Sequence, residues 1–160
     1  MDGSLKYNTE MIFINFFNYI KMNYIIESII VGIYTSFIYL FFSQFIKNFY
    51  ILLLVCGFFK HFLSSPFGIW TWYCNNGEAC LKVLDQDLAK QNKYEANTLY
   101  LIPESIYEGF AFLITGTLLN ISIPKGVYLF FIMGILLHII SEILLIHKYF
   151  CKKTCEIKTN

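Results

Sequence analysis

The sequence predicts an all-α integral membrane protein: a four-transmembrane-helix bundle with a short amphipathic N-terminal segment and a loop helix, forming one domain over residues 1–160. Three observations carry this. Hydrophobic residues make up 57% of the chain and charged residues 14%, with mean hydropathy +0.56, whereas soluble domains average roughly 25% charged. Four segments are long and apolar enough to cross a bilayer, which takes about 20 residues. In the third and fourth, the ionisable pairs Glu104 and Glu108, and His138 and Glu142, recur at four-residue spacing, so each pair shares a helix face.

In chain order, MDGSLKYNTEMIFINFF does not read as a secretory signal, because Asp2 and Glu10 dilute its positive end and no small-residue cleavage site follows. It is expected to stay in the mature protein. The run 11-MIFINFFNYIKM-22 is too short to span, and Asn15, Asn18 and Lys21 give it a polar stripe. It suits a helix lying in the headgroup plane or an extension of the first span, and both readings stay open.

The spans are expected at about 24–46, 49–71, 98–119 and 126–148. The second contains Lys60 and His61, and the third Pro103, Glu104 and Glu108. Between them, in a loop over 72–97, 81-LKVLDQDLAKQNKYE-95 places Leu81, Leu84 and Leu88 on one face of a short surface helix, with Asp85 and Asp87 solvated. A tail over 149–160 closes the chain. No internal repeat or low-complexity tract is visible.

The formal net charge of +1 gives no field that would attract nucleic acid, and the expected partners are the lipid bilayer and a second copy of the chain in a homo-oligomer. All twelve basic residues are Lys, with no Arg, a bias of the kind an AT-rich genome produces.

Lysine counting predicts orientation. Four spans place both termini and the 72–97 loop on one side, with Lys6, Lys21, Lys82, Lys90, Lys93, Lys148, Lys152, Lys153 and Lys158; the other side holds only Lys47 and Lys125. The positive-inside tendency makes the lysine-rich side cytoplasmic, with Tyr24, Trp70, Trp72, Tyr100 and Tyr149 as its aromatic belt. The sequon Asn120-Ile121-Ser122 falls on the far side in a loop too short to expect its use.

Depths follow from helix rise. Glu108, His138 and His61 each lie ten residues from that interface, about 15 Å, and Glu104 and Glu142 six residues, about 9 Å. Lys60 adjoins His61, and Glu27 lies about 5 Å deep. Glu104 stacks with Glu108 and His138 with Glu142 at i, i+4, a stripe that Gly134 extends on the fourth helix; Gly57, His61 and Ser65 make a third stripe of the same period. Ser28, Gly32 and Ser36 give the first helix a small-residue face suited to close contact.

Three readings of this polar cluster (Glu27, Lys60, His61, Glu104, Glu108, His138 and Glu142) stay open. It is interhelical glue in a structural or interaction component. It is a divalent-metal or catalytic site using His61, Glu104, Glu108, His138 and Glu142, although Glu-x-x-His, the helical signature of di-metal carboxylate bundles, is missing. Or it is a path for protons, ions or polar solutes. Whether the chain is an enzyme is left open, and no catalytic residue is assigned.

Cys74, Cys80, Cys151 and Cys155 sit on the lysine-rich side, each just outside a span. In a reducing compartment they suggest zinc, although C-x5-C with C-x3-C departs from C-x2-C pairs. In an oxidising one, or in a virion, two disulfides fit better. Free thiols, with the tail pair palmitoylated, are the plain alternative. Cys56 reads as a core residue.

The run from Lys60 to Cys80, KHFLSSPFGIWTWYCNNGEAC, resembles segments of uncharacterised multi-pass membrane proteins encoded by large DNA viruses, and the Lys-rich, Arg-free composition agrees. The resemblance covers this run alone and carries no motif of established function. It implies a viral or host-derived membrane and transfers no active site.

Overall fold

The computed structural model describes residues 24–158, and the chain is mostly helical over them. The segment at 11–22, with Lys6 and Lys21, lies outside the described residues. In order the elements are α1 (Tyr24–Phe42), α2 (Phe49–Ser64), α3 (Ile69–Asn76), α4 (Glu78–Leu81), α5 (Gln86–Lys90), β1 (Tyr94–Ala96), α6 (Leu101–Leu119), α7 (Val127–Ile143), α8 (Ile146–Thr154) and β2 (Cys155–Ile157). The long helices α1, α2, α6 and α7 occupy the four apolar segments. The short elements fold together as a cap over one end.

Local chemistry sets the boundaries. Asn48 caps α2, its side chain accepting from the backbone N–H groups of Tyr50 and Ile51 at 3.0 and 3.2 Å. The helix stops before Pro66, which supplies no N–H for another turn, and Gly68 at φ 70° turns the chain into α3. The second apolar segment is therefore bent by 69° rather than straight. Pro103 is harmless because it falls in the first turn of α6, where its missing N–H has no helical partner. The fourth segment also breaks: Leu145 adopts φ 60°, and α8 leaves at 77° to α7.

The long helices pack chiefly as two pairs, α1 along α7 and α2 along α6. Glycines make the approach close. A methyl group on Gly134 would stand 2.6 Å from Thr35 Oγ1 and 3.0 Å from the Gly32 Cα, while one on Gly57 would meet the Glu108 carbonyl oxygen at 2.7 Å. Such close contacts add dispersion attraction between the helices. Leu53, Phe112, Phe130 and Met133 fill the space between the pairs, with Tyr39 stacked on Phe130 at 4.3 Å. Cys56 lies in this core as a free thiol.

The cap has its own core of Cys74, Ala79, Cys80, Ala89, Tyr94, Cys151 and Cys155. The short surface helix expected to carry Leu81, Leu84 and Leu88 is divided between α4 and α5. Asp85 accepts from the N–H groups of Asp87 and Leu88, starting α5 afresh, and the chain then extends into β1. Leu81, Leu84 and Leu88 still share the inward side, packed on the cap core. β1 pairs antiparallel with β2, Glu95 opposite Glu156. Asn75 serves β1 as a second backbone: its amide donates to the Tyr94 carbonyl at 2.9 Å and its oxygen accepts from the Tyr94 N–H at 3.1 Å.

Outward faces of the long helices are apolar. Ile25, Ile33, Phe37 and Phe41 are exposed along α1, and Ile106, Phe110, Ile114 and Leu118 along α6. By length and composition, one helix among the described residues, α1, is long and apolar enough to cross a membrane; up to three spans result if Phe49–Ser64 with Ile69–Leu81, and Val127–Ile143 with Ile146–Thr154, each count as one. The aromatic belt is redistributed: Trp70 is buried against Phe150 and His61, whereas Tyr149 stays exposed.

Candidate functional site

The ionisable residues of the long helices gather at the capped end and divide between the two helix pairs. Between α2 and α6, Lys60 Nζ donates to Glu108 Oε1 at 2.5 Å, and His61 Nε2 stands 3.4 Å from Glu104 Oε2. From α8, Lys153 approaches Glu104 Oε1 at 4.0 Å while lying over the Tyr100 ring at 3.5 Å. Ser65 lies just past the end of α2, so the stripe from Gly57 through His61 ends there.

The second group joins α1, α7 and the cap. Glu27 is almost wholly enclosed; its Oε1 accepts the Glu78 N–H that opens α4 at 2.8 Å, and its Oε2 faces His138 Nε2 at 3.5 Å. That separation suits an ion pair, and among the described residues neither of these two atoms has a hydrogen-bond partner. One turn along α7, Glu142 Oε1 accepts from the Tyr73 hydroxyl at 3.1 Å and pairs with His147 Nδ1. The His138 and His147 rings lie 4.6 Å apart. Burial, with the Glu27 and Glu142 carboxylates adding to it, pushes the Tyr73 phenol well above its ordinary pKa, so it remains a donor.

Ring contacts link the two groups. His61 meets Trp70 at 4.6 Å, Trp70 meets Phe150 at 5.2 Å, Phe150 meets Tyr73 at 6.3 Å, and Tyr73 meets His147 at 5.7 Å. At the rim, Lys82 donates to the Tyr24 hydroxyl and pairs with Glu78 at 3.2 Å.

The expected metal set of His61, Glu104, Glu108, His138 and Glu142 does not converge on one point. Its first three members pair between α2 and α6, with Lys60 on Glu108, whereas His138 and Glu142 lie with α1 and α8. Ligand atoms that do come within 4.8 Å of one another belong to His138, Glu142 and His147. Sequence reasoning missed His147. On an unbroken helix it falls about 180° around from His138, so no helix-face argument finds it.

The four cap cysteines form two disulfides, Cys74 with Cys155 and Cys80 with Cys151, their Cα atoms 5.6 and 5.2 Å apart. Both join α3 or α4 to the C-terminal segment. As disulfides they offer no thiolates, so the zinc alternative for these residues does not apply in this state. Comparison with protein-family models, with curated proteins and with solved structures yields no match.

Proposed function

We propose that the chain is a small multi-pass integral membrane protein in which α1, α2, α6 and α7 all cross the bilayer, serving as a structural or interaction component that displays a disulfide-locked cap at one membrane surface. One observation carries this reading. The ionisable side chains of the long helices find partners at the capped end, Lys60 with Glu108, His61 with Glu104 and Glu142 with Tyr73 and His147, while the outward faces present Ile, Leu and Phe. An exposed apolar surface this extensive requires lipid or protein against it. Mutual pairing is what buried charges need when their task is to fix helix register. A viral or host-derived membrane is supported by the resemblance of residues 60–80 alone.

The disulfides bear on orientation. They persist in oxidising compartments and are reduced in the cytosol, whereas the lysine rule is a statistical bias of insertion. We therefore place the capped end on the oxidising side, the reverse of the lysine count.

In sealed membranes, a membrane-impermeant reductant followed by an impermeant maleimide should label the cap cysteines from the non-cytoplasmic side. Labelling only from the cytoplasmic side would restore the lysine orientation. Release of the protein by alkaline extraction would overturn the membrane assignment. Proton or ion flux in liposomes that Lys60→Met abolishes would replace the structural role with transport.

A further inference from the structure

We propose that His138, Glu142 and His147, with the Glu27 carboxylate facing His138, form a binding site for one divalent transition-metal ion, with zinc the best match, that clips α7 to α8 beneath the cap and draws in α1 through Glu27. The inference goes beyond the structural role above and holds for either orientation of the protein.

The donor set comes first. Two imidazoles with carboxylates suit zinc and its first-row neighbours, and the ligand atoms of His138, Glu142 and His147 already lie within 4.8 Å of one another. A tetrahedral ion with bonds of about 2.0–2.1 Å holds its ligands about 3.3 Å apart, so closure needs side-chain adjustments of an ångström or so. Glu27 Oε2 and His138 Nε2, at 3.5 Å, are already at that spacing.

A second, independent observation is that these two atoms are buried without hydrogen-bond partners, in side chains only 2% and 6% exposed. Native proteins seldom leave such groups unsatisfied. An ion between them supplies the missing partner to both. It also answers the charge of two enclosed carboxylates while leaving both histidines neutral, the form in which imidazole ligates.

The surroundings are arranged as outer shells of metal sites are. Each carboxylate is fixed by a donor from the cap, Glu27 by the Glu78 N–H at 2.8 Å and Glu142 by the Tyr73 hydroxyl at 3.1 Å. His138, Glu142 and His147 supply three ligands, and Glu27, facing His138, is the residue placed to complete a closed structural site. Lys60, paired with Glu108 between α2 and α6, has no place in the set.

The test uses the full chain in detergent with both disulfides intact, verified by a thiol titre of one, from Cys56, after denaturation without reductant. Titration with Co2+ as an optical probe should show one ion per chain, four-coordinate visible bands, no sulfur charge-transfer band, and displacement by Zn2+. His138→Gln, His147→Gln and Glu142→Gln should each abolish stoichiometric binding, Tyr73→Phe should weaken it about tenfold, and His61→Gln should leave it unchanged. Should any ligand variant fail to fold, a zinc-dependent rise in the melting temperature of the wild type, retained by His61→Gln, reads the same site. Absence of both Co2+ binding and a zinc-dependent shift in the wild type overturns the proposal. So does binding that survives His147→Gln, or that His61→Gln removes equally.

Discussion

His147 lies back against Glu142, its Nδ1 paired with the Glu142 carboxylate, because Leu145 between them takes a left-handed backbone conformation at φ 60°. Leucine rarely adopts that region, so the bend is held by the anchoring of α8 and β2. Cys151 and Cys155, in and just after α8, are bonded to Cys80 and Cys74 in the opposite half of the cap. The chain after α7 must therefore run across the end of the bundle, and the strain at Leu145 is offset by that closure.

Removing the disulfides should accordingly loosen the cap before the bundle. Cys80 and Cys151 close a span of 71 residues and Cys74 and Cys155 one of 81, for which loop-closure entropy gives about 4 kcal/mol for the first bridge; the loops are nested, so the second closes only about ten further residues and adds about 3 kcal/mol. Cys80→Ser with Cys151→Ser should make α8 and β2 protease-sensitive while α1 and α7 stay protected. Peptide mapping without reductant should recover the Cys74–Cys155 and Cys80–Cys151 pairs. Recovery of Cys74 joined to Cys80 would contradict the fold of the cap.

The charged pair between α2 and α6 can be weighed by a double-mutant cycle. With Lys60 and Glu108 each roughly a fifth or less exposed, Lys60→Met alone should cost about 3–5 kcal/mol by leaving a carboxylate unpaired at the helix interface. Lys60→Met combined with Glu108→Leu should recover most of that loss. Chemical unfolding in detergent measures both. If the double variant is no more stable than the single one, the pair does not act as a unit.

How far the sequence disclosed this arrangement depends on whether periodicity or long-range closure sets each feature. The small-residue face of α1 was legible from its spacing: Ser28 and Gly32 are buried, and Gly32 lies against Phe131 and Ile135 of α7. Facing depths were legible too: His61 and Glu108, predicted at one level, meet partners a residue or a turn away. The bend at Leu145 carries no Gly, Pro or Asn to announce it, and so His147 was invisible. β1 and β2 are equally hidden, three residues each, held by a disulfide and by Asn75 rather than by any alternating pattern. The cysteines gave the one hint, since pairing them already requires the tail to fold over the loop.

Close helix contact makes Gly134 and Gly57 intolerant of side chains. Gly134→Leu would drive its side chain into Thr35 and the Gly32 backbone, and overpacking of this kind typically costs about 1–3 kcal/mol or more. The expected result is a lower melting temperature in detergent. The comparison is Ile114→Leu on the exposed face of α6, which should change little. Equal stability of Gly134→Leu and wild type would mean that α1 and α7 do not approach as described.

Tyr73 should give alkaline pH dependence a defined sign. Its phenol is held protonated by burial, then by the Glu27 and Glu142 carboxylates, so its folded pKa lies above the unfolded value near 10. In that window the native state binds the proton and the unfolded state has released it, so stability falls as pH rises above about 10 and through the folded pKa. Below about pH 10 the group contributes no slope. Tyr73→Phe should lose about 1 kcal/mol at neutral pH, from the hydrogen bond to Glu142, and show a shallower alkaline decline. Difference absorbance at 295 nm, wild type minus Tyr73→Phe, should show no tyrosinate from this position until the protein unfolds. Its ionisation in the folded protein near pH 10 would mean that the cap does not seal Tyr73 against Glu142.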